Sequence, residues 1–544
     1  MVKRVFATGE RGMKGFIKAK RIVAEMDVIN AECLLRDGVM QAVFNVSSCA
    51  LIRNGGYVLL DFGRELNGGI VVVTQNISNE NAKYRLVFGE SVSESLSELG
   101  EKNSGNYHSI RDMTVGAVFM STQSFGETGF RFVKIEAVGA DITVGAVKAV
   151  PNIRDIEKKG SFRCNDELLN KIWETGAYTV QLNMHEYLWD GVKRDRLVWS
   201  GDMHPSASTV YNVFGDDDCV RRSLDLVKQE TPAGEWMNGI PTYSLWWIIN
   251  QYDRYMRWGD FDYLREQQAY MIDLTDLIIK WIDGGFYGES KDNLFVDWSS
   301  AGSDGLTEGV KSIACMALKC LKEIFEILKE TEYADKCEKY HERLQQQKAA
   351  DDVELNNRIA ALTVIAGRDS AKSAEKVLGT TENDMSCFMG FYILNALAKI
   401  GNYDTALGLI RKYWGSMLEL GATTFWEEFK IEWAKNAGRI DEMNEDGKDD
   451  IHGDFGEYCY RQHRLSLCHS WASGPTSFLS ERIGGIEILA PGCKKLRVSP
   501  NMANLEWIDI KYPTPYGTVR IRSRRGNGVI KTEVDAPSEI ELEM

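Results

Sequence analysis

The chain has 544 residues, 44% of them hydrophobic and 26% charged, with a formal net charge of −15. Such a length exceeds one ordinary core and points to two to four domains of ordinary globular composition. The acidic balance argues against nonspecific nucleic-acid binding, which draws on Lys and Arg, and no run of about 18 apolar residues offers a membrane span.

The start, MVKRVFATGERGMKGF, has no apolar h-region, so no secretory leader is expected and the expected location is cytoplasmic. Eleven cysteines are scattered, with no CxxC pair and no Cys/His cluster at zinc spacing. They read as reduced core thiols, and no metal is expected. Up to about residue 158 the chain is strand-like: YVLLDFG, GGIVVVTQNI, YRLVFGES, AVFMST, FRFVKIEAV and ITVGAVKAV are short β-branched or aromatic runs between turn residues. That spacing predicts an antiparallel sandwich, with the first 50 residues unassigned.

From about Ser161 the period becomes helical. NDELLNKIWETGAYTVQLNMHEY follows Asn165, a plausible N-cap, and similar stretches continue down to Arg482. About a dozen helices fit two concentric rings of six, an (α/α)6 barrel, with an irregular helical solenoid as the alternative. No fixed-period repeat occurs. After Gly484 strands return, in IEILAPG, KKLRVSP, EWIDIKYPTPYG, TVRIRSRRG and VIKTEV. So short a sheet has to lean on the barrel. The expected fold is mainly α with flanking all-β domains: a β-sandwich over 1–158, a barrel over 159–484 and a small β domain over 485–544.

The charged stretches lie in the helical part. DGVKRDRLVWSGD carries Asp190, Asp195 and Asp202 beside Lys193, Arg194 and Arg196. Spacings of five and seven do not share one helical face, and the glycines favour a loop. Asp202 alone reads as well as an N-cap for MHPSASTVYNVF. The cluster is too apolar for open water, given Leu188, Trp189, Leu197, Val198 and Trp199, and partly buried acids are what proton transfer uses. TTFWEEF carries Glu427 and Glu428 behind Trp426; these acids read equally as a first helical turn, and only one of the two points inward. HSWASGP carries His469, which a core hydrogen bond would also explain. GEWMNGIP and FVDWSSAGSD add further Trp and acid groups near loops. Paired carboxylates lined by tryptophans are the equipment of glycoside hydrolysis. A phosphate loop and a GxSxG elbow are both absent from the sequence.

These residues together resemble glycoside hydrolase family 78, the bacterial α-L-rhamnosidases. DGVKRDRLVWSGD resembles the family's catalytic stretch, GATTFWE its base-bearing segment, and SLCHSWASGP a later His segment. LDFGRELNGGI, FGESVSE and GFRFVKIEAVG resemble the sandwich that precedes the family's barrel. The resemblance implies an inverting enzyme with Asp195 as general acid and Glu427 as general base. Asp190 and Asp202 would hold sugar hydroxyls or tune Asp195. Arg194, Trp199, Trp247, Trp298, Trp426 and His469 would line the pocket, with Trp246 the alternative to Trp247. Two positions depart from the family: Asp195 stands where many members have Glu, and Val198 where a Gly is usual. At 544 residues the chain is short for the family, and the extra N-terminal β domains of many members are not expected in it. The implied substrate is a small-molecule or oligosaccharide rhamnoside, with no cofactor, nucleic acid or membrane partner; a homo-oligomer is compatible with the sequence. The rivals are another exo-glycosidase on the same barrel, an inactive sugar-binding relative, and a helical-repeat interaction protein.

Overall fold

The computed structural model of the protein describes residues 15–37, 40–43, 48–286, 294–303, 305–347, 353–368, 370–526 and 529–544. The start read as leaderless, residues 1–14, lies outside them, as does Asp304 of FVDWSSAGSD.

The N-terminal strands form a seven-stranded sheet, paired antiparallel throughout. Its centre is the long strand Ala50–Ile77, which bends at register shifts. Ile142 pairs with Ile52 on one side and Ile77 on the other, so the sheet rolls over on itself. Alternating apolar residues such as Leu60, Val72, Leu86, Phe130 and Val133 then meet inside, as the period-2 pattern requires. Gly69 sits where the sheet closes: a Cβ there would lie 2.3 Å from the Phe125 carbonyl oxygen.

The helices that follow close a ring. Met203–Val213 contacts Pro241–Trp258, which contacts Leu306–Leu328, then Asn357–Ala366, Met389–Lys399 and Gly474–Phe478, and the last returns to the first. Between them in sequence come Asp218–Gln229, Phe261–Asp283, Thr331–Gln346, Ser370–Leu378 and Tyr403–Glu419, with Glu167–Asn183 ahead of the first. This is the (α/α)6 arrangement and not a solenoid. Patterning explains the layers: MGFYILNALAK is apolar almost all round and lies inside, whereas DCVRRSLDLVKQ has one buried stripe and faces water on the other side. Side-chain caps start several helices, among them Asp217, Asp260, Asn356 and Asn402. The N-cap of Glu167–Asn183 is Asp166, accepting from the Leu168 and Leu169 N–H groups, and not Asn165. Asn165 instead accepts from the Glu506 N–H at 2.8 Å and ties the C-terminal region to the barrel.

The C-terminal strands form two sheets. Ser161–Cys164, from the point where the helical pattern begins, pairs with Trp507–Thr514 as the edge of the larger one. Ile508, Ile510, Val519 and Ile521 of that sheet share the barrel's apolar core, so it does lean on the helices. No helix among the described residues is long and apolar enough to cross a membrane.

Candidate active site

DGVKRDRLVWSGD forms a loop against one end of the barrel. Asp190 folds it: the Leu197 N–H donates to Asp190 Oδ1 at 3.0 Å, and the Asp190 N–H donates to the Leu197 carbonyl at 3.1 Å. Ser470 N–H donates to the Asp190 carbonyl at 2.7 Å, and Gly191 bridges to His469. Gly191 has to be glycine, because a Cβ would lie 2.6 Å from the Arg194 carbonyl oxygen. The chain reverses at Arg196, whose φ is 60° and whose guanidinium lies over Trp189, away from the cavity. Val198, in the position where family 78 usually has glycine, is buried in the barrel core.

The segment carrying Glu427 runs beside residues 466–469 and is not a helix. Glu427 N–H donates to the Ser466 carbonyl at 2.9 Å, and Ser466 N–H returns a bond to Glu427 Oε2 at 3.0 Å. Trp471 Nε1 donates to the Glu427 carbonyl at 2.9 Å. Arg194 donates to the other oxygen, Oε1, so both oxygens of Glu427 are fixed. Arg194 also reaches Asp195 Oδ1 at 3.4 Å. One buried guanidinium thus touches both candidate catalytic carboxylates.

A second layer comes from the N-terminal sheet. Glu90 accepts from Leu467 N–H at 2.5 Å and Ser466 Oγ at 3.3 Å, directly behind Glu427. Glu90, Glu94 and His452 bring their ligand atoms within 4.8 Å of one another. Lys193 Nζ fills this cluster, 2.9 Å from Glu90 and 3.2 Å from Glu94, and also donates to the His463 and Leu465 carbonyls. Burial pushes Glu94 up, but Lys193, His452 and Arg111 outweigh it and hold the carboxyl at about 2.

Asp190, Arg194, Asp195, Trp199, Asp202, Trp298, Glu427 and His469 line one cavity of about 250 Å³. An aromatic rim surrounds them. Trp199, Tyr243, Phe295, Trp298, Tyr460 and Trp471 follow one another around the wall at centroid distances of 5.3–6.3 Å. Trp298 forms the outer lip, 40% exposed.

Burial shifts three groups on the floor towards their uncharged forms. Burial, then the charges of Asp195 and Asp202, raise Asp190 well above the usual carboxylate range. Burial also raises Asp202, against the hydrogen bond from Tyr243 Oη at 3.0 Å. Burial and the neighbouring Arg194 lower His469 to about 3. Such a floor presents hydrogen-bonding groups around one paired cation.

Of the expected site residues, Trp247 and Trp426 stand elsewhere. Trp247 is one turn deeper than Tyr243 in its helix, donates Nε1 to the Leu224 carbonyl at 2.9 Å and packs on Tyr270. Trp246 is no substitute: it stacks on His204 beside a separate cavity. Trp426 is 1% exposed and packs on Phe429, because it points to the opposite side of the chain from Glu427. Glu428 also faces away, towards Asp297 and Arg358; burial and then Asp297 push it up to about 8. Asp202 makes no side-chain cap and spends its carboxylate on Tyr243. Tyr243, Phe295, Tyr460 and Trp471 were not singled out from the sequence. Phe295 and Trp471 lie inside FVDWSSAGSD and HSWASGP, but single rings in such stretches do not distinguish wall from core.

Two family models match the chain: the bacterial alpha-L-rhamnosidase 6 hairpin glycosidase domain over residues 157–363, and the bacterial alpha-L-rhamnosidase C-terminal domain over 485–544. A curated alpha-L-rhamnosidase of Formosa agariphila is 23% identical over 481 residues, 77% of this chain and 47% of that protein. The chain therefore spans about half the length of that relative. Among solved structures, a GH78 family rhamnosidase of Bacillus sp. GL1 has a TM-score of 0.76 at 20% identity, covering 94% of this chain and 55% of that one. A Klebsiella oxytoca rhamnosidase with rhamnose bound has a TM-score of 0.67 at 19% identity, covering 85% and 94%. The solved structures share the fold, and the resemblance to family 78 read from the sequence is borne out by the matched domains.

Proposed function

We propose that this chain, which carries the six-hairpin glycosidase and C-terminal domains of the bacterial α-L-rhamnosidases, is a glycoside hydrolase that releases terminal α-L-rhamnose with inversion. One observation carries the reading: Asp195 and Glu427 line the same cavity, with the Arg194 guanidinium touching both. Glu427, held at both oxygens, takes a proton from the attacking water. Asp195 gives its proton to the glycosidic oxygen as the bond breaks. The two carboxyls have to stand roughly 6.5–9.5 Å apart to admit that water.

The rest of the pocket suits a neutral deoxy sugar. At about 250 Å³ the cavity is smaller than the roughly 300–1,000 Å³ of drug-sized sites, which favours one terminal ring over an internal stretch of polymer. Asp190 and Asp202, both pushed by burial towards the protonated form, and neutral His469 offer hydrogen-bonding groups to sugar hydroxyls. Ile240 and Phe295 supply an apolar wall for a C5 methyl group. A uronic acid would need a cation to itself, and Arg194 is already engaged by Glu427 and Asp195.

The test is hydrolysis of p-nitrophenyl α-L-rhamnoside by the parent protein, Asp195→Asn and Glu427→Gln. The parent releases nitrophenol, and each variant loses about 10²- to 10⁴-fold in kcat/KM. An unaffected variant removes that residue from its role. Reaction only with nitrophenyl glycosides of other sugars removes rhamnose and keeps the hydrolase.

A further inference from the structure

Asp195 has a contact that the mechanism above does not use. Its Oδ1 lies 3.0 Å from His108 Nε2, a residue of the N-terminal β region. His108 sits on the turn between Glu101–Asn103 and the strand Asp112–Gly116. Its φ is 32°, a backbone conformation that costs a non-glycine residue energy unless its surroundings impose it. The surroundings do so on both sides. The Ser109 N–H bonds back to the Tyr107 carbonyl across His108. Ser109 Oγ donates to the Lys193 carbonyl at 2.9 Å, two residues before Asp195. Tyr107 lies under the Arg464 guanidinium at 4.9 Å, and Asn106 Oδ1 accepts the Arg111 and Asp112 N–H groups at 3.0 Å. The turn is therefore tied to the catalytic loop itself and aims one ring at one carboxylate.

We infer that His108 holds Asp195 in place and returns its proton after each turnover, an inference that rests on Asp195 being the general acid. Hydrolysis with inversion leaves Asp195 as a carboxylate, because its proton departs with the alcohol, and leaves Glu427 protonated, because it took one from water. The cycle closes only when Glu427 sheds a proton to solvent and Asp195 regains one. His108 as imidazolium passes its Nε2 proton to Asp195, and the neutral ring then accepts the Asp195 O–H. The ring recovers a proton from water, to which a third of its side chain is open. The titratable and charged groups around this contact are Arg194 beside Asp195, the cavity acids Asp190, Asp202 and Glu427 behind it, and Arg464 over Tyr107. The shorter arm of Asp195, where many family members have Glu, fits the same logic: the ring fixes a carboxyl that has less reach of its own.

A residue acting through the general acid has a signature that packing lacks. The acid matters most when the leaving group is poor. The full chain, His108→Ala and His108→Gln are assayed on aryl α-L-rhamnosides from dinitrophenyl to phenyl. For His108→Ala we expect a loss in kcat/KM below about threefold on the dinitrophenyl substrate and about 10- to 100-fold on the phenyl one, partly restored by added imidazole. His108→Gln can hydrogen-bond Asp195 but cannot carry its proton, so it keeps KM near the parent value and stays slow on the phenyl substrate. Melting curves of both variants are compared with the parent, and the Gln variant carries the test if Ala melts early. Equal losses on every leaving group, or none, would overturn the role of His108 while leaving the hydrolase intact. A parent that releases no phenol from any rhamnoside would overturn the functional reading instead.

Discussion

Lys193 is the clearest perturbation, because its ammonium bridges two buried carboxylates. Its side chain and those of Glu90 and Glu94 are 9%, 0% and 1% exposed. Lys193→Met keeps most of the side chain's bulk and removes the charge. The two carboxylates then lose the cation that bridges them, and breaking a buried pair in this way costs about 3–5 kcal/mol. For a cooperative unit of about 200 residues that is a fall in Tm of order 10 °C. The sign with pH follows. In the variant both carboxyls hold protons in the folded state to a higher pH than in the unfolded chain, so stability falls as pH rises from about 5 to 8. The melting deficit against the parent should therefore be larger at pH 8 than at pH 5.5. Adding Glu90→Gln and Glu94→Gln to Lys193→Met should recover most of it. Differential scanning calorimetry on the parent, the single and the triple variant measures all three. A deficit under about 2 °C at pH 8, or one that does not change with pH, would refute the reasoning.

His469 is held uncharged down to about pH 3, so His469→Gln should leave the shape of the pH–activity profile between pH 5 and 8 unchanged. The loss of one sugar contact should still lower kcat/KM by about 10- to 100-fold, read from initial rates. Trp298→Ala, at the lip, should raise KM several-fold and leave melting unchanged. Trp247→Ala should do the reverse: a buried ring removed for about 3–5 kcal/mol, seen in denaturant unfolding, with KM unmoved. Glu428 is pushed up to about 8, so the folded state loses stability as pH rises from about 4.5 to 8. Glu428→Gln should therefore melt progressively higher than the parent across that window, and a flat difference would contradict the burial argument.

The order of layers was legible because period changes are local: GGIVVVTQNI alternates and MGFYILNALAK does not. The charged loop was legible because acids in apolar company are rare. What escaped depends on the third dimension. Trp247 and Tyr243 lie four residues apart on one helix, and only depth along the barrel axis separates core from wall. Trp426 and Glu427 are neighbours, and their opposite directions come from bonds to Ser466, which is far away in sequence. Ser161–Cys164 opens the helical pattern yet joins the C-terminal sheet, because its partner strand comes some 340 residues later. Glu90, Glu94 and His108 belong to the strand-rich region, and no spacing rule connects them with a loop a hundred residues on.

The central claim is tested most directly by following p-nitrophenyl α-L-rhamnoside with the unmodified protein by proton NMR. The account predicts that nitrophenol appears together with β-L-rhamnose, which only later mutarotates to the equilibrium mixture. First-formed α-L-rhamnose would contradict the single-displacement roles of Asp195 and Glu427, and no release at all would contradict the function.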